Sequence, residues 1–192
     1  MERSSALFWS IILVLLTASI FYGVGAQKEI SKGRMAEGKI ENGGIVKLIR
    51  VVDGDSLIVV QEDEKPTNVR ILGIKSFDAK VEKDIVTPYG KAAIDSLERR
   101  LAQRPIRVML GGNPKDRYGR YVATLYVDNQ DIALKLISDG LALAYTVYPF
   151  PAMSLYLQEQ ELARAGRRGL WANKDVAARA LALINEWQRR TE

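Results

Sequence analysis

From residue 44 onward the apolar positions fall first into short strand-like runs and then into longer helical ones. Residues 45–52 and 56–60 are rich in β-branched side chains and are separated by Asp53-Gly54, a pair suited to a tight hairpin turn. A third run, 68–74, follows the turn-prone Glu64-Lys65-Pro66. The period changes over residues 89–103, where Ala93, Leu97 and Leu101 share one helical face and Lys91, Glu98 and Arg99 lie opposite. Pro105 ends that helix, and strands are expected at 106–110 and 121–127. Asp128-Asn129-Gln130 turns the chain into a helix over 132–138, closed by Gly140. Further helices are expected at 153–165 and 175–190, the last aligning Val176, Ala180, Ile184 and Trp187 to cover the domain. The class is α+β and mainly β: a small five-stranded Greek-key barrel with packed helices and a C-terminal helix.

Residues 6–26 carry no charge and precede a polar, glycine-dotted stretch over 27–43. At about 1.5 Å per residue the apolar segment reaches roughly 31 Å as a helix, enough to cross a bilayer core. Phe8 and Trp9 near one end and Phe21 and Tyr22 near the other suit the membrane interfaces. Two readings follow, a retained anchor or a signal peptide cleaved after Ala26, where Val24-Gly25-Ala26 offers small residues. Lys28, Lys32, Arg34 and Lys39 argue for a cytoplasmic body, whereas the usual service of such segments argues for export. A membrane-anchored, extracytoplasmic body is the expectation, secreted if cleavage occurs. The segmentation is then 1–26 anchor or signal, 27–43 linker, 44–172 globular domain and 173–192 C-terminal helix.

The chain of 192 residues has a formal charge of +5, which favours anionic partners such as nucleic acid or nucleotides. It contains no cysteine and no histidine. Disulfides, thiolate chemistry, the usual zinc sites and histidine bases are excluded, leaving carboxylates, lysine, tyrosine or metal-bound water for acid–base work.

Six short motifs occur in order: Asp53-Gly54-Asp55-Ser56, Val69-Arg70-Ile71-Leu72-Gly73-Ile74, Tyr89-Gly90-Lys91-Ala92-Ala93, Asp116-Arg117-Tyr118-Gly119-Arg120, Asp139-Gly140-Leu141-Ala142 and Arg167-Arg168-Gly169-Leu170-Trp171. Each is weak alone. Together, over roughly residues 44–171, they resemble the staphylococcal nuclease (thermonuclease) family. The resemblance implies an OB-fold barrel with three helices and a calcium-dependent site that cuts DNA and RNA. It places Asp55 at a metal-binding aspartate, Arg70 and Arg120 at phosphate-gripping arginines, and Asp78 where a glutamate would position the attacking water. Lys75 stands at a second metal-binding aspartate and Ser76 at a residue whose carbonyl helps hold the ion. Tyr118 and Tyr148 are candidates for nucleotide contact, with Tyr145 and Pro149 leaving the register near Tyr148 open.

Two guanidinium forks can grip phosphate oxygens bidentately and offset charge growing at phosphorus. A hard cation such as calcium needs several oxygens, usually including more than one carboxylate. Exchanging a carboxylate for lysine converts an attraction into a repulsion, each worth roughly 4 kcal/mol for charges 4 Å apart at an effective dielectric near 20. The expectation is that the Lys75 ammonium takes the metal position, paired with Asp55 and with Asp78 as a further partner. Asp78 is also a methylene shorter than glutamate, and an offset of about 1 Å can cost about a hundredfold in rate. Three functions follow: a phosphate-binding nuclease-fold domain with impaired hydrolysis, a working nuclease with an altered metal site, or a tethered protein-interaction module.

Overall fold

The computed structural model describes residues 38–190, and the expected anchor at 6–26 and most of the linker lie outside them. Among the described residues no helix is long and apolar enough to cross a membrane. The strands are β1 (Ile45–Asp53), β2 (Ser56–Gln61), β3 (Thr67–Ile71), β4 (Ile74–Lys75), β5 (Ile106–Lys115), β6 (Tyr121–Val127), β7 (Gln130–Asp131) and β8 (Leu143–Ala144). The helices are α1 (Thr87–Leu101), α2 (Ile132–Ser138), α3 (Met153–Ala165) and α4 (Lys174–Arg189), with a 3₁₀ turn at Gly169–Ala172.

The main sheet runs β3-β2-β1-β5-β6-β7, and β3 also pairs with β6, so five strands close into a barrel. The closure is parallel and sets Val69 against Tyr121, Arg70 against Val122 and Ile71 against Ala123. Strand alternation does the rest. In β6, Tyr121, Ala123, Leu125 and Val127 are buried and the residues between them are not. Val69 and Ile71 point into the barrel, which leaves Arg70 on the other face of β3.

Helix α1 buries Ala93, Leu97 and Leu101, as its spacing predicts. Asp131 caps α2 by accepting from the Leu134 N–H at 3.2 Å. In α3, Gln160 accepts from the Ala144 N–H at 2.9 Å and ties the helix to β8. Asn173 caps α4 by accepting from the N–H groups of Asp175 and Val176. Val176, Ala180 and Trp187 join Phe77, Leu170 and Trp171 in a second apolar cluster beside the barrel core. The last helix therefore covers the domain, as expected.

Three details differ from the expectation. The compact unit begins at Gly38, earlier than residue 44. Ile40 is buried in the core, and Gly43 donates to the Val108 carbonyl at 2.8 Å. The run 68–74 is not one strand. It breaks at Leu72-Gly73, where Gly73 has φ +75° and a Cβ would lie 2.4 Å from the Phe150 ring. Beyond the break, Ile74 and Lys75 pair with Ala144 and Leu143 in a separate ribbon. Finally, β5 continues past Leu110 to Lys115, through Gly111 and Gly112, whose lack of side chains hides the strand pattern.

Candidate active site

The hairpin turn between β1 and β2 carries Asp55 into a position where only 1 % of it is exposed. Gly54 makes this possible: a Cβ there would lie 2.5 Å from Ser76 Oγ and 2.7 Å from Ala93 Cβ. The break at Gly73 then brings the next segment across the carboxylate. Arg70 Nη1 donates to Asp55 Oδ1, and its Nη2 donates to the Ile74 carbonyl at 3.0 Å. The Ser56 hydroxyl also donates to Oδ1, at 3.0 Å. Oδ2 accepts from the Ser76 N–H at 3.2 Å, and Lys75 Nζ stands 3.2 Å from the same oxygen.

Burial would raise the Asp55 pKa, but the Arg70 charge, then Lys75, and the hydrogen bonds it accepts hold it below the ordinary 3.8. Asp53 behaves in the opposite sense. Burial, then the adjacent Asp55 charge, push its carboxyl above the ordinary value.

Arg120 arrives from the turn before β6. Its Nε and Nη2 grip Asp116 Oδ2 at 2.8 and 2.7 Å, and its Nη1 lies 3.4 Å from the Ser56 hydroxyl oxygen. Ser56 thus links the two arginines: it accepts from Arg120 and donates to the carboxylate that Arg70 holds. The Arg70 guanidinium also rests 5.9 Å from the Tyr145 ring centre, and Arg120 lies 5.4 Å from that of Tyr118.

A sequence profile of the family described as Staphylococcal nuclease homologue matches residues 68–173. The chain is 29 % identical over 163 residues to a thermonuclease of Staphylococcus hyicus, covering 84 % of this chain and 96 % of that one. It is 32 % identical over 129 residues to an uncharacterized endonuclease of Haemophilus influenzae, 67 % of each chain. With endonuclease YncB of Bacillus subtilis it shares 30 % identity over 131 residues, 66 % of this chain and 61 % of the relative. The chain belongs to the staphylococcal nuclease family.

Of the positions marked by the family resemblance, the structure brings Arg70, Lys75 and Ser76 onto the Asp55 carboxylate, and Arg120 reaches it only through the Ser56 hydroxyl. Lys75 does not bond to Asp78, its other expected partner. Asp78 Oδ1 instead accepts from the N–H groups of Lys80 and Val81, at 2.8 and 3.3 Å, because the chain turns there. The Asp78 N–H donates to Glu82 Oε2 at 2.7 Å. Tyr148 is 69 % exposed, with its ring centre 6.3 Å from that of Tyr145, and Tyr118 is 68 % exposed.

Several participants escape a reading of the family motifs. Asp116 lies four residues before Arg120, a spacing that could have marked it as the partner. Tyr145 offers no signal beyond its neighbour Tyr148, and Ser56 has no assigned role in its motif until its hydroxyl is seen between Arg120 and the Asp55 carboxylate. Among the described residues no group of three or more acidic, histidine or cysteine side chains is placed to hold a metal ion.

Proposed function

We propose that this family member is a nucleic-acid- or nucleotide-binding domain whose calcium-dependent phosphodiester hydrolysis is impaired by Lys75. The observation that supports the reading is the 3.2 Å contact between Lys75 Nζ and Asp55 Oδ2. Arg70 and the Ser56 hydroxyl take the other oxygen. A calcium ion needs several oxygen ligands free to turn towards it. Here one carboxylate is shared between two cations, a hydroxyl and an amide, and the donor set does not fit the ion.

The anion-binding half of the reading rests on the two arginines. Each guanidinium has five N–H donors, and the contacts of Arg70 and Arg120 leave some over for phosphate oxygens. Tyr118 is exposed next to Arg120 and Tyr148 is exposed next to Tyr145, and both offer faces for bases. Asp78 corresponds in sequence to the family's water-orienting group, with one oxygen engaged by the turn. The second reading, a working nuclease with a changed metal requirement, draws on relatives whose names include thermonuclease and endonuclease. Tethering by residues 6–26, with the body on the extracytoplasmic side, completes the proposal, and a C-terminal reporter active only after export would test it.

The deciding measurement uses the full chain in detergent and fluorescein-labelled single-stranded DNA. Binding that weakens with salt, with no more cleavage in calcium than in chelator, is expected. Efficient cleavage in calcium would overturn the impaired site. Cleavage with another divalent ion would favour the second reading, and absence of any binding would refute the phosphate grip.

A further inference from the structure

The family match ends at residue 173, and α4 begins at Lys174. The helix does more than cover apolar surface, because two of its side chains reach residues that contact site residues, Arg179 through Glu82 to Asp78 and Trp187 through Tyr145 to Arg70. Arg179 Nη2 lies 3.1 Å from Glu82 Oε1, and its Nη1 pairs with Asp84 Oδ2. The other oxygen of Glu82 accepts the Asp78 N–H at 2.7 Å, and the Glu82 N–H donates back to the Asp78 carbonyl at 2.8 Å. A single carboxylate therefore stands between α4 and the backbone of Asp78. Asp84 Oδ1 accepts from the Val86 N–H at 3.0 Å, so Arg179 also holds the entry to α1. From the barrel side the same segment is pinned by Lys80 Nζ, which donates to the Val52 carbonyl at 2.7 Å.

The second contact lies about two helical turns further on. Trp187 is buried and meets the Tyr145 ring edge-on, with centres 5.0 Å apart and planes at 80°. Tyr145 is the ring against which the Arg70 guanidinium rests. An aromatic held edge-on by a buried neighbour has few orientations left, so the cation over the ring is confined as well.

We infer that α4 is a positioning element of the phosphate site. Arg179, through Glu82, sets the segment that carries Asp78, and Trp187 fixes the Tyr145 ring that supports Arg70. The inference rests on the reading of Arg70 and Arg120 as a phosphate grip. A helix that merely shields the second cluster needs Val176, Ala180 and Trp187 but has no use for a partly exposed arginine aimed at two acids on one loop.

Hydrogen–deuterium exchange and DNA affinity on the full chain separate these roles. Arg179→Gln, which leaves the buried face intact, is expected to speed exchange over residues 78–86 at least about threefold, with Thr67–Ile71 and Tyr121–Val127 unchanged. Trp187→Leu is expected to weaken binding of fluorescein-labelled single-stranded DNA about three- to tenfold, and Trp187→Phe to restore most of it. Unchanged exchange over 78–86 in Arg179→Gln would overturn the Asp78 arm, whatever the affinity. Equal affinity in Trp187→Leu and the parent would overturn the Tyr145 arm. Failure of the parent to bind DNA would sink the phosphate reading instead, and the exchange result would still decide whether α4 sets the loop.

Discussion

Lys75 Nζ and Asp55 Oδ2 meet at 3.2 Å, on the carboxylate oxygen that Arg70 does not use. The ribbon of Ile74–Lys75 against Leu143–Ala144 delivers the lysine there, so the contact comes from backbone register as well as charge. Lys75→Asp should therefore convert a cation into a ligand without moving the chain. Calorimetry is expected to show calcium binding in the variant, with Kd on the order of 10⁻⁴–10⁻³ M, and calcium-stimulated cleavage beside it. Lys75→Ala removes the ammonium but adds no oxygen, and should bind calcium far more weakly than Lys75→Asp. Equal calcium affinity in the parent and both variants would end the case for a plugged site.

Asp55 should dominate the acid stability of this region. Its pKa is depressed in the folded protein, so its ionised form stabilises the fold above the ordinary value of 3.8, and that contribution disappears as pH falls through the lower folded value. Asp53 has a raised pKa, and protonating it on acidification relieves its burial and its repulsion by Asp55. At pH 7, Asp55→Asn is expected to cost about 3 kcal/mol in urea unfolding, mostly through Arg70, since Lys75 is 40 % exposed and screened. The difference from the parent should narrow below about pH 4. A gap that widened on acidification would contradict the assigned direction.

Arg120 allows charge and shape to be separated. Arg120→Lys keeps the cation but loses the planar fork that grips Asp116, and about a tenfold loss of DNA affinity is expected at unchanged salt slope. Arg120→Ala should also flatten the slope of log affinity against log salt by about 0.7. Fluorescence anisotropy over a salt series measures both. An unaltered slope in Arg120→Ala would remove this residue from the binding surface.

Gly54→Ala tests the packing that admits Asp55. The new methyl would meet Ser76 Oγ at 2.5 Å and Ala93 Cβ at 2.7 Å, so turn and helix α1 must separate. A loss of about 1–3 kcal/mol in urea unfolding is expected, with the m-value unchanged. A neutral result would mean that the turn can yield without cost.

Where local pattern alone decides, the chain is readable. Tyr121–Val127 is recognisable by its β-branched and aromatic side chains, and burial alternates along it because one face lines the barrel, while the four-residue spacing of Ala93, Leu97 and Leu101 marks the buried side of α1. Legibility fails where a distant partner sets the geometry. Ile40 sits in a polar stretch and is buried because the barrel offers it a place, while β3 breaks at Gly73 because Phe150 lies against it. At the site, Asp55, Arg70 and Arg120 stand out through ordered motifs. The bond between Glu82 and Arg179 joins residues 97 positions apart, which no local pattern could disclose.

The parallel seam between β3 and β6 gives the arginine pair a mechanical meaning. Arg70 sits opposite Val122 in that seam, and Arg120 lies just before the strand that supplies the other edge. A polyanion seated on both guanidinium groups would lash the two edges together, and its binding energy would add to the resistance of the barrel to opening.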